Sequence, residues 1–350
     1  MAVFPIRAIP DGVTTDILRM LVTVYSKNGH YYARNRRGDL ICVDSPSACI
    51  QEAVDAVKDV GGVVFVRAGS YVLGQKVTLA PKVAVIGEGD ATYIKLADGV
   101  NDDMFLIPPG ASRAVLAHLY LDANGKNQTT GSAVKVLSYT WRVVLEDLTI
   151  RNAKVNGVEF NMGQQSQYSY EAILKYIDIK GSGQNGFNFA WVADIWGADL
   201  YAEGNGGRGF YFGDVAGTIF HAHAYNNYGD SGMFMDSMCT DLRLVSPHFD
   251  TNQQNGAIIS GSRITLESPF AFNNSKSNPG YYNGILVYGQ NNIIANGVIT
   301  DTQPSKTQAN GIVEQSGADY NIYIGNNARG NMYNGIIIVG SHSISLANLT

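Results

Sequence analysis

The sequence predicts an all-β protein: a single-stranded, right-handed parallel β-helix with an N-terminal capping helix and a small N-terminal β module. The prediction rests on a turn signal that recurs along the chain and on apolar residues that alternate after each signal. The signals are Asn156-Gly157, Asn185-Gly186, Arg208-Gly209, Ser231-Gly232, Asn255-Gly256, Asn283-Gly284, Asn310-Gly311 and Asn334-Gly335. Their glycines stand 29, 23, 23, 24, 28, 27 and 24 residues apart, a period typical of solenoid proteins.

Each repeat is predicted to contain at least two short strands. Apolar residues occupy the first and third positions after most of the glycines, and a period of two indicates a strand with one buried face. These pairs are Val158/Phe160, Phe187/Phe189, Phe210/Phe212, Met233/Met235, Ala257/Ile259, Ile285/Val287 and Ile336/Ile338. A second apolar set precedes the glycines by nine and seven residues, as Ile177 and Ile179 do. Coils stacked at roughly 4.8 Å would build a continuous apolar core, and parallel crossovers are almost always right-handed.

The recurring signals also predict the shape of the corners. Asparagine and glycine both tolerate a positive φ, so we expect each signal to form a tight turn before its strand. Repeats of this length without a helical pattern favour a β-helix over a leucine-rich or ankyrin array.

Length and composition fit one elongated unit. The chain has 350 residues and a net charge of −5, which gives no basic footprint for nucleic acid. No stretch reaches the ~20 apolar residues that insert into and span a bilayer, and the opening residues lack the pattern of a secretory signal. The three cysteines form neither a disulfide framework nor a metal site. Cys42 and Cys49 could form a bridge, but free buried thiols are the favoured state.

Residues 1–44 are predicted to form the small β module and residues 45–350 the β-helix. The module is indicated by loose alternation from Ile17 to Tyr25, followed by turn signals at Asn28-Gly29 and Gly38-Asp39. The capping helix, at about 46–59, follows Ser45 and carries Ile50, Ala53, Val54 and Val57 on one face. Such a helix would cover the disc of core that the first coil exposes.

Two segments carry a resemblance to a known group of proteins. They are CIQEAVDAVKDVGGVVFVRAGSYVLGQKVTLAPKVAVIGEGDATYIKL at 49–96 and LYLDANGKN at 119–127. Together with the later repeats, they resemble pectate-lyase-like right-handed β-helix proteins, which include polysaccharide lyases, glycoside hydrolases and bacteriophage tailspikes. The resemblance implies a polysaccharide or surface glycan as partner, and a location outside the cell or on the surface of a virion. The group includes several activities, so the fold alone does not specify one.

The catalytic motifs of two related families are missing. Polygalacturonase-like members carry Asn-Thr-Asp, Asp-Asp, Gly-His-Gly and Arg-Ile-Lys motifs, whereas the one Asp102-Asp103 pair here falls in an early loop. Mannuronan-epimerase-like members carry Tyr-Gly-Phe-Asp-Pro-His, and this chain has Asn-Gly-Phe-Asn-Phe-Ala at 185–190. No catalytic set is therefore transferred to this chain.

The last repeat, NGIIIVGSHSISLANLT, stops without a helix or polar cap. An open final coil exposes strand edges and core. We expect this end to meet a partner subunit in a homo-oligomer such as a trimer, or to continue into a longer chain.

The first candidate site is a double column of outward side chains. Counted back from the next glycine, Asp178, Tyr201, Ala224 and His248 occupy the position eight before, and Arg151, Lys180, Glu203, Asn226 and Asp250 the position six before. The candidate catalytic residues are Asp178, Lys180, Tyr201, Glu203, His248 and Asp250.

Glu203 and Asp250 fit a pair of glycosidase carboxylates two coils apart. Alternatively, Arg151 and Lys180 hold a uronate while Tyr201 or His248 exchanges a proton. The competing interpretation, which we favour, is an ordinary ladder of alternating charges such as Lys180 to Glu203.

The second candidate site follows the post-glycine strand. Its candidate substrate-binding residues, with Arg151 from the first site, are Glu159, Tyr211, Phe234, Asp236 and Tyr288. Outward aromatic rings make stacking platforms for sugars. Coverage by a long corner or a neighbouring subunit is equally compatible with these residues. Polar insertions at 161–170, 275–282 and 302–308 could form the walls of a groove.

Three smaller features are interpreted as structural. Glu314 takes a position that is apolar in the other repeats, and a register shift is favoured over a buried acid. The aspartates Asp98, Asp102 and Asp103 could hold calcium, but turn chemistry explains them better. His221 and His223 lack a third ligand nearby, so no zinc and no cofactor is expected. The leading hypothesis is a glycan-binding protein that cleaves its ligand as a lyase or hydrolase; the alternative is a non-catalytic structural or adhesion protein.

Overall fold

The computed structural model describes residues 20–161 and 167–350. Most of the alternating segment that begins at Ile17 is therefore seen, but the first part of the predicted module and part of the insertion at 161–170 lie outside the described residues. The architecture is an all-β parallel solenoid of about 11 turns, since one of its two sheets has 11 strands. This confirms the predicted class of fold.

The elements are short and follow one another closely. One α-helix, α1 (Ile50–Val57), and one 3-10 turn, Gly125–Asn127, interrupt the strands of the described residues. The strands are β1 (Leu21–Lys27), β2 (His30–Asn35), β3 (Leu40–Val43), β4 (Gly62–Val66), β5 (Gly69–Leu73), β6 (Val77–Thr78), β7 (Val83–Leu96), β8 (Phe105–Ile107), β9 (Val115–Asp122), β10 (Val134–Leu137), β11 (Val144–Arg151), β12 (Val158–Asn161), β13 (Ser169–Tyr170), β14 (Ile173–Lys180), β15 (Phe187–Phe189), β16 (Val192–Glu203), β17 (Phe210–Phe212), β18 (Val215–Tyr225), β19 (Ser231–Met235), β20 (Leu242–Val245), β21 (His248–Asp250), β22 (Asn255–Ile259), β23 (Thr265–Glu267), β24 (Phe270–Phe272), β25 (Ile285–Val287), β26 (Ile293–Ala295), β27 (Val298–Thr300), β28 (Ile312–Glu314), β29 (Ile322–Ile324), β30 (Ile336–Ile337) and β31 (Ile344–Leu346).

Each central coil consists of three straight runs. The first run is a strand of the 11-stranded sheet, such as β15, and the second and third runs belong to the larger sheet. A single residue with positive φ joins the second run to the third, as Asp199 does within β16 at φ 56°. The corresponding residues of neighbouring coils are His118, Asp147, Tyr176 and His221, with φ between 49° and 55°. This repeated bend turns each of these coils at the same point of the register.

The predicted stacking of the post-glycine strands is confirmed. Glu159, Asn188, Tyr211, Phe234, Ile258, Leu286 and Val313 pair in succession along the sheet. The residues on either side of them face inward and form one continuous core. Within that core the rings of Phe187 and Phe210 stack at 4.7 Å between centroids.

The predicted reason for the Asn-Gly signals is wrong. None of the eight signal glycines has a positive φ. Their importance is steric, because a Cβ on Gly209 would lie 2.7 Å from the Cβ of Ala224 and 2.9 Å from the carbonyl oxygen of Gly232. The asparagine of a signal accepts a hydrogen bond from the next coil: the backbone N–H of Asn185 donates to Asn156 Oδ1 at 3.1 Å. The signal is therefore a device for close stacking rather than for a tight turn.

A row of hydrogen-bonded side-chain amides links the coils at the corner after the third run. Its members are Asn205, Asn227, Asn252, Asn274, Gln308 and Asn331. Each donates to the next through its side-chain nitrogen, with distances of 2.9, 3.0, 3.1, 2.9 and 2.8 Å along the row. The first five are fully buried, so their polar groups depend on one another and on nearby backbone groups for hydrogen bonds. We call this row the amide ladder.

The N-terminal elements are continuous with the first coils. Strand β1 pairs antiparallel with β2 and parallel with β4, so it belongs to the larger sheet. Helix α1 buries Ile50, Ala53, Val54 and Val57, the predicted apolar face, and contacts β1, β3 and β4.

The prediction of free thiols at Cys42 and Cys49 is wrong. Cys42 and Cys49 form a disulfide that joins β3 to the start of α1, with a Cα–Cα distance of 5.6 Å. This distance, set by the chain doubling back before the helix, is within the range that a bridge requires. The third cysteine, Cys239, is a buried free thiol, and burial raises its pKa to about 12.

The favoured register shift at Glu314 is also wrong. Glu314 pairs in register with Val287, its side chain faces the interior, and it is 1% exposed. Five donors satisfy its carboxylate: Asn321 Nδ2, Tyr323 Oη, Ser343 Oγ and the backbone N–H groups of Val339 and Gly340, at 2.6 to 3.2 Å. A buried carboxylate is tolerated here because its hydrogen bonds replace those of water.

We expect Glu314 to couple stability to pH. Burial raises its pKa, but the hydrogen bonds from Asn321, Ser343 and the backbone hold the pKa below the ordinary value of 4.5. A depressed pKa in the folded state contributes stability above the unfolded pKa, and this contribution is lost as pH falls through the folded pKa. The Glu314→Gln variant should be less stable than the parent by about 1–3 kcal/mol at neutral pH. Below about pH 4 this difference should shrink.

Urea denaturation at a series of pH values measures this difference. Glu267→Gln is the control, because Glu267 lies on the surface in an ion pair with Arg243. A difference between Glu314→Gln and the parent that is the same at every pH would contradict the assignment.

Candidate functional site

The first candidate site lies on the outward side of the third runs, and its register differs from the prediction at one coil. Asp178, Tyr201, His223 and His248 form one column. Arg151, Lys180, Glu203, Tyr225 and Asp250 form the other. His223 and Tyr225 therefore replace the predicted Ala224 and Asn226. The corner after Tyr225 is one residue longer than the corner after Glu203, so counting back from the glycine lands one residue late. We call these nine residues the charged face.

Ion pairs cross the charged face from coil to coil. Arg151 donates to the Asp178 carboxylate at 2.6 Å, and Lys180 Nζ donates to Glu203 Oε1 at 2.9 Å. The hydroxyl of Tyr225 donates to the other Glu203 oxygen at 3.2 Å. The pair Lys180 and Glu203 is the charge ladder that the competing interpretation described. Glu203 and Asp250 stand two coils apart, as predicted, but Tyr225 lies between them.

A cluster of histidines continues the face. His223 Nε2 lies 2.6 Å from Asp250 Oδ1. His221, at the bend between the second and third runs, has its Nδ1 2.9 Å from Asp199 Oδ1. The ring of His248 lies 5.2 Å from that of His223 and 5.3 Å from that of His221, between centroids. The sequence prediction left His223 out of the double column because of the long corner described above.

Burial and neighbouring charge shift two proton-transfer groups in opposite directions. Burial, together with the charges of His223 and His221 and against the opposing effect of Asp250, lowers the pKa of His248 to about 4. Burial, together with Glu203, raises the pKa of Tyr225 to about 12. At neutral pH the face therefore holds an unprotonated imidazole and a protonated phenol, and burial also raises the pKa of Tyr201.

The second candidate site is only partly assembled. Tyr211 and Phe234 stack at 5.9 Å, and the Arg208 guanidinium lies 4.4 Å above the Phe234 ring. The hydroxyl of Tyr211 donates to Asp236 at 2.8 Å. Tyr288 is exposed on the same sheet, but no contact joins it to this stack. Arg208 in turn donates two hydrogen bonds to Asp230, at 2.7 and 2.6 Å, which fixes the guanidinium over the ring.

Glu159 lies in the outward column but is not accessible. It is 5% exposed and lies 3.3 Å from Lys135 Nζ. Burial raises its pKa, but hydrogen bonds from Ser132 and Asn161 and the charge of Lys135 bring the pKa below the ordinary value. Further along the same outward column, Ile258, Leu286 and Val313 form a small buried apolar cluster. The column therefore changes from charged to aromatic to apolar along the solenoid.

The residues considered for metal binding have other partners. Asp98 accepts hydrogen bonds from Asn124 and Asn127, and Asp102 pairs with Lys76 at 2.9 Å. Across residues 20–161 and 167–350, no group of three or more His, Cys, Asp or Glu has the geometry to hold a metal ion. In the same ranges, none of the helical segments has the length and apolar character that a membrane crossing requires.

Several solved structures have an architecture similar to that of this chain. The A-module of a mannuronan C-5 epimerase from Azotobacter vinelandii superposes with a TM-score of 0.67 over 85% of this chain and 95% of its own, at 20% identity. Tailspike protein 2 of an Escherichia coli bacteriophage gives 0.64 at 11% identity over 79% of this chain, which spans only 40% of the tailspike. The Streptococcus pneumoniae surface adhesin PfbA gives 0.52 at 13% identity over 87% of this chain and 93% of the adhesin. No family model and no curated sequence matches the chain.

These comparisons define the class of fold. The chain has the right-handed parallel β-helix fold, as the resemblance in its sequence implied. Identities of 11 to 20% carry no activity from the three proteins to this chain.

We expect the electrostatic coupling within the histidine cluster to be measurable. In the His223→Gln variant one of the positive charges that disfavour protonation of His248 is gone, so the pKa of His248 should rise from about 4. Histidine titration followed by NMR measures this pKa directly. His342→Gln, at an exposed histidine paired with Asp319, is the control and should leave it unchanged. A His248 pKa near 6.5 in the parent protein would contradict the described burial.

Proposed function

We propose that the protein binds an acidic polysaccharide along the charged face. The observation that carries the proposal is the row of Arg151 and Lys180, one coil apart, which continues on the following coils into the rings of Tyr201, His223 and His248. Coil spacing is close to the repeat of a sugar unit, so carboxylates of successive uronates can exchange places with Asp178 and Glu203 as partners of the two cations. Because these ion pairs are partly solvated, breaking them costs little.

The finer part of the proposal is cleavage by β-elimination. Arg151 and Lys180 hold the carboxylates of uronates further along the bound chain, because they lie four and three coils from the strand of His248. At the sugar unit that reaches the histidine cluster, the unprotonated His248 removes the proton at C5, and the bond from C4 to the glycosidic oxygen breaks. The departing oxygen takes a proton from Tyr225, which is protonated at neutral pH, and a double bond forms between C4 and C5. Hydrolysis fits less well, because Glu203 and Asp250 are both engaged by cationic or aromatic partners and a tyrosine separates them.

A second candidate function is non-catalytic adhesion or assembly. It is favoured by the pairing of Asp178, Glu203 and Asp250 with neighbouring side chains. The structural likeness to an adhesin agrees with it, although that likeness establishes the fold alone. Binding without chemical change is what this function predicts.

The setting we propose is outside the cell or on the surface of a virion. The disulfide between Cys42 and Cys49 supports an oxidising environment.

We further propose that α1 caps the first coil, that residues up to 44 form a module continuous with it, and that the chain associates as a homo-oligomer.

Incubation with oligomers of galacturonate, mannuronate, guluronate and glucuronate tests the proposal. We expect at least one to bind and to yield a product with the ultraviolet absorbance of an unsaturated uronate. Arg151→Gln and Lys180→Gln should each weaken binding by roughly tenfold. His248→Gln should lower the rate of elimination by roughly a hundredfold or more while the ligand still binds.

Arg263→Gln is the matched control, because Arg263 forms an exposed ion pair with Asp241 outside the charged face. It should change neither binding nor rate. Binding that depends on Arg151 without product would favour adhesion over cleavage. If no uronate oligomer binds, or if Arg263→Gln weakens binding as much as Arg151→Gln, the charged face is not the site.

A further inference from the structure

Aromatic side chains gather at another edge of the coils, between the first and second runs. Tyr139 and Trp141 lie between β10 and β11, and Tyr168 and Tyr170 lie one coil further on, where Trp141 forms a parallel bridge with Tyr170. With Glu171 and Asp194 they line a cavity of about 530 Å³, which we call the aromatic cleft. The charged face begins at the opposite end of β11, at Arg151, so the two sites occupy different edges.

The rings of the cleft are held in place yet accessible. Tyr139, Trp141 and Tyr170 are exposed by 54%, 45% and 46%, an unusual concentration of exposed aromatic surface on one corner. Tyr168 contacts Trp191 at 5.3 Å and Tyr170 at 6.2 Å between centroids, and its hydroxyl donates to Asp214. The Arg142 guanidinium lies 4.8 Å from the Trp141 ring and donates to Glu171 at 2.6 Å. Packing on these partners fixes the ring planes of Trp141, Tyr168 and Tyr170 before any ligand arrives, which lowers the entropy cost of binding.

The lining combines two kinds of surface that a sugar ring requires. Aromatic faces contact the apolar C–H face of a pyranose, while Glu171, Asp194 and the side chain of Gln167 offer acceptors and donors to its hydroxyl edge. The cavity volume falls within the range of roughly 300–1,000 Å³ that is usual for small-ligand sites.

The charge of the cleft selects among sugars. Among the described residues that line it, two are acidic and none is Lys, Arg or His. Two guanidinium groups lie beside the Trp141 ring: Arg142, which pairs with Glu171, and Arg113, 5.9 Å from the ring centroid. The acidic and basic groups around the cleft therefore balance, so the cleft offers a uronate no net positive charge.

We propose that the aromatic cleft is a second glycan-binding site, specific for neutral sugar units. Tyr139 and Tyr170 supply the stacking faces, and Asp194 accepts hydrogen bonds from sugar hydroxyls. The proposal does not depend on the charged face: either site can bind its ligand when the other does not.

Two measurements test the proposal. An array that carries neutral hexasaccharides, cellohexaose and maltohexaose among them, together with uronate oligomers, identifies which sugars bind. Calorimetric titration then measures the affinity for each sugar that binds. We expect a neutral oligosaccharide to bind, and Tyr139→Ala and Tyr170→Ala each to weaken it roughly threefold to tenfold. Tyr170→Phe, which keeps the ring, should restore most of the affinity. Tyr228→Ala, at a tyrosine that is 62% exposed on another corner, is the control and should have no effect.

Binding should also change the tryptophan fluorescence, and Trp141→Phe should remove most of that change. Arg151→Gln should leave binding of the neutral ligand intact, which separates this site from the charged face. The proposal is overturned if no neutral oligosaccharide binds, if Tyr139→Ala and Tyr170→Ala bind as well as Tyr228→Ala, or if only uronates bind. It is equally overturned if the emission of Trp141 changes with protein concentration alone, because a second copy of the chain would then occupy the cleft.

Discussion

The close stacking of one coil on the next is the constraint on which the rest of this structure depends. The amide ladder shows how the constraint is met: Asn252 accepts hydrogen bonds from the backbone and side chain of Asn227 and donates to Ala224 and Asn274. Asn252 thus satisfies polar groups of both neighbouring coils in the interior, where water is excluded. The signal glycines complete the arrangement, since a side chain at Gly209 or Gly232 would collide with the next coil.

This stacking turns a linear sequence into columns of neighbouring side chains. The inward columns of the strands are filled mainly by apolar residues, and the inward carboxylate of Glu314 is matched by five donors. Outward columns are free to carry chemistry, and neighbours in one column lie a single strand spacing apart. The charged face and the aromatic cleft are two such surfaces, for which we propose acidic and neutral sugar units as the respective ligands. A long glycan with both acidic and neutral units is the kind of ligand that such an arrangement suits.

The fold could be predicted from the sequence because its period and alternation are repeated many times. What failed depended on three-dimensional detail. Positive φ and lack of space both favour glycine, so the sequence alone could not tell why Gly209 is needed. One extra residue in the corner after Tyr225 was enough to replace His223 with Ala224 in the predicted column.

The remaining errors have the same physical origin. Three of the five donors to Glu314 come from the following coil, and the approach of Cys42 to Cys49 depends on how the chain turns before α1. The aromatic cleft escaped notice because Tyr139 and Trp141 precede the first Asn-Gly signal, outside the numbering that defined the columns. Within the charged face, the ladder of Lys180 and Glu203 could be predicted, because the corners that follow these two residues have the same length.

Urea denaturation of Asn252→Ala, compared with Asn278→Ala, tests most directly whether the amide ladder holds the coils together. Asn252 is fully buried in the ladder, whereas Asn278 lies on an exposed corner. The account predicts that Asn252→Ala lowers the free energy of unfolding by about 2–3 kcal/mol or more, because buried partners lose their hydrogen bonds, and that Asn278→Ala changes it by less than about 0.5 kcal/mol. Equal stability of the two variants would contradict it.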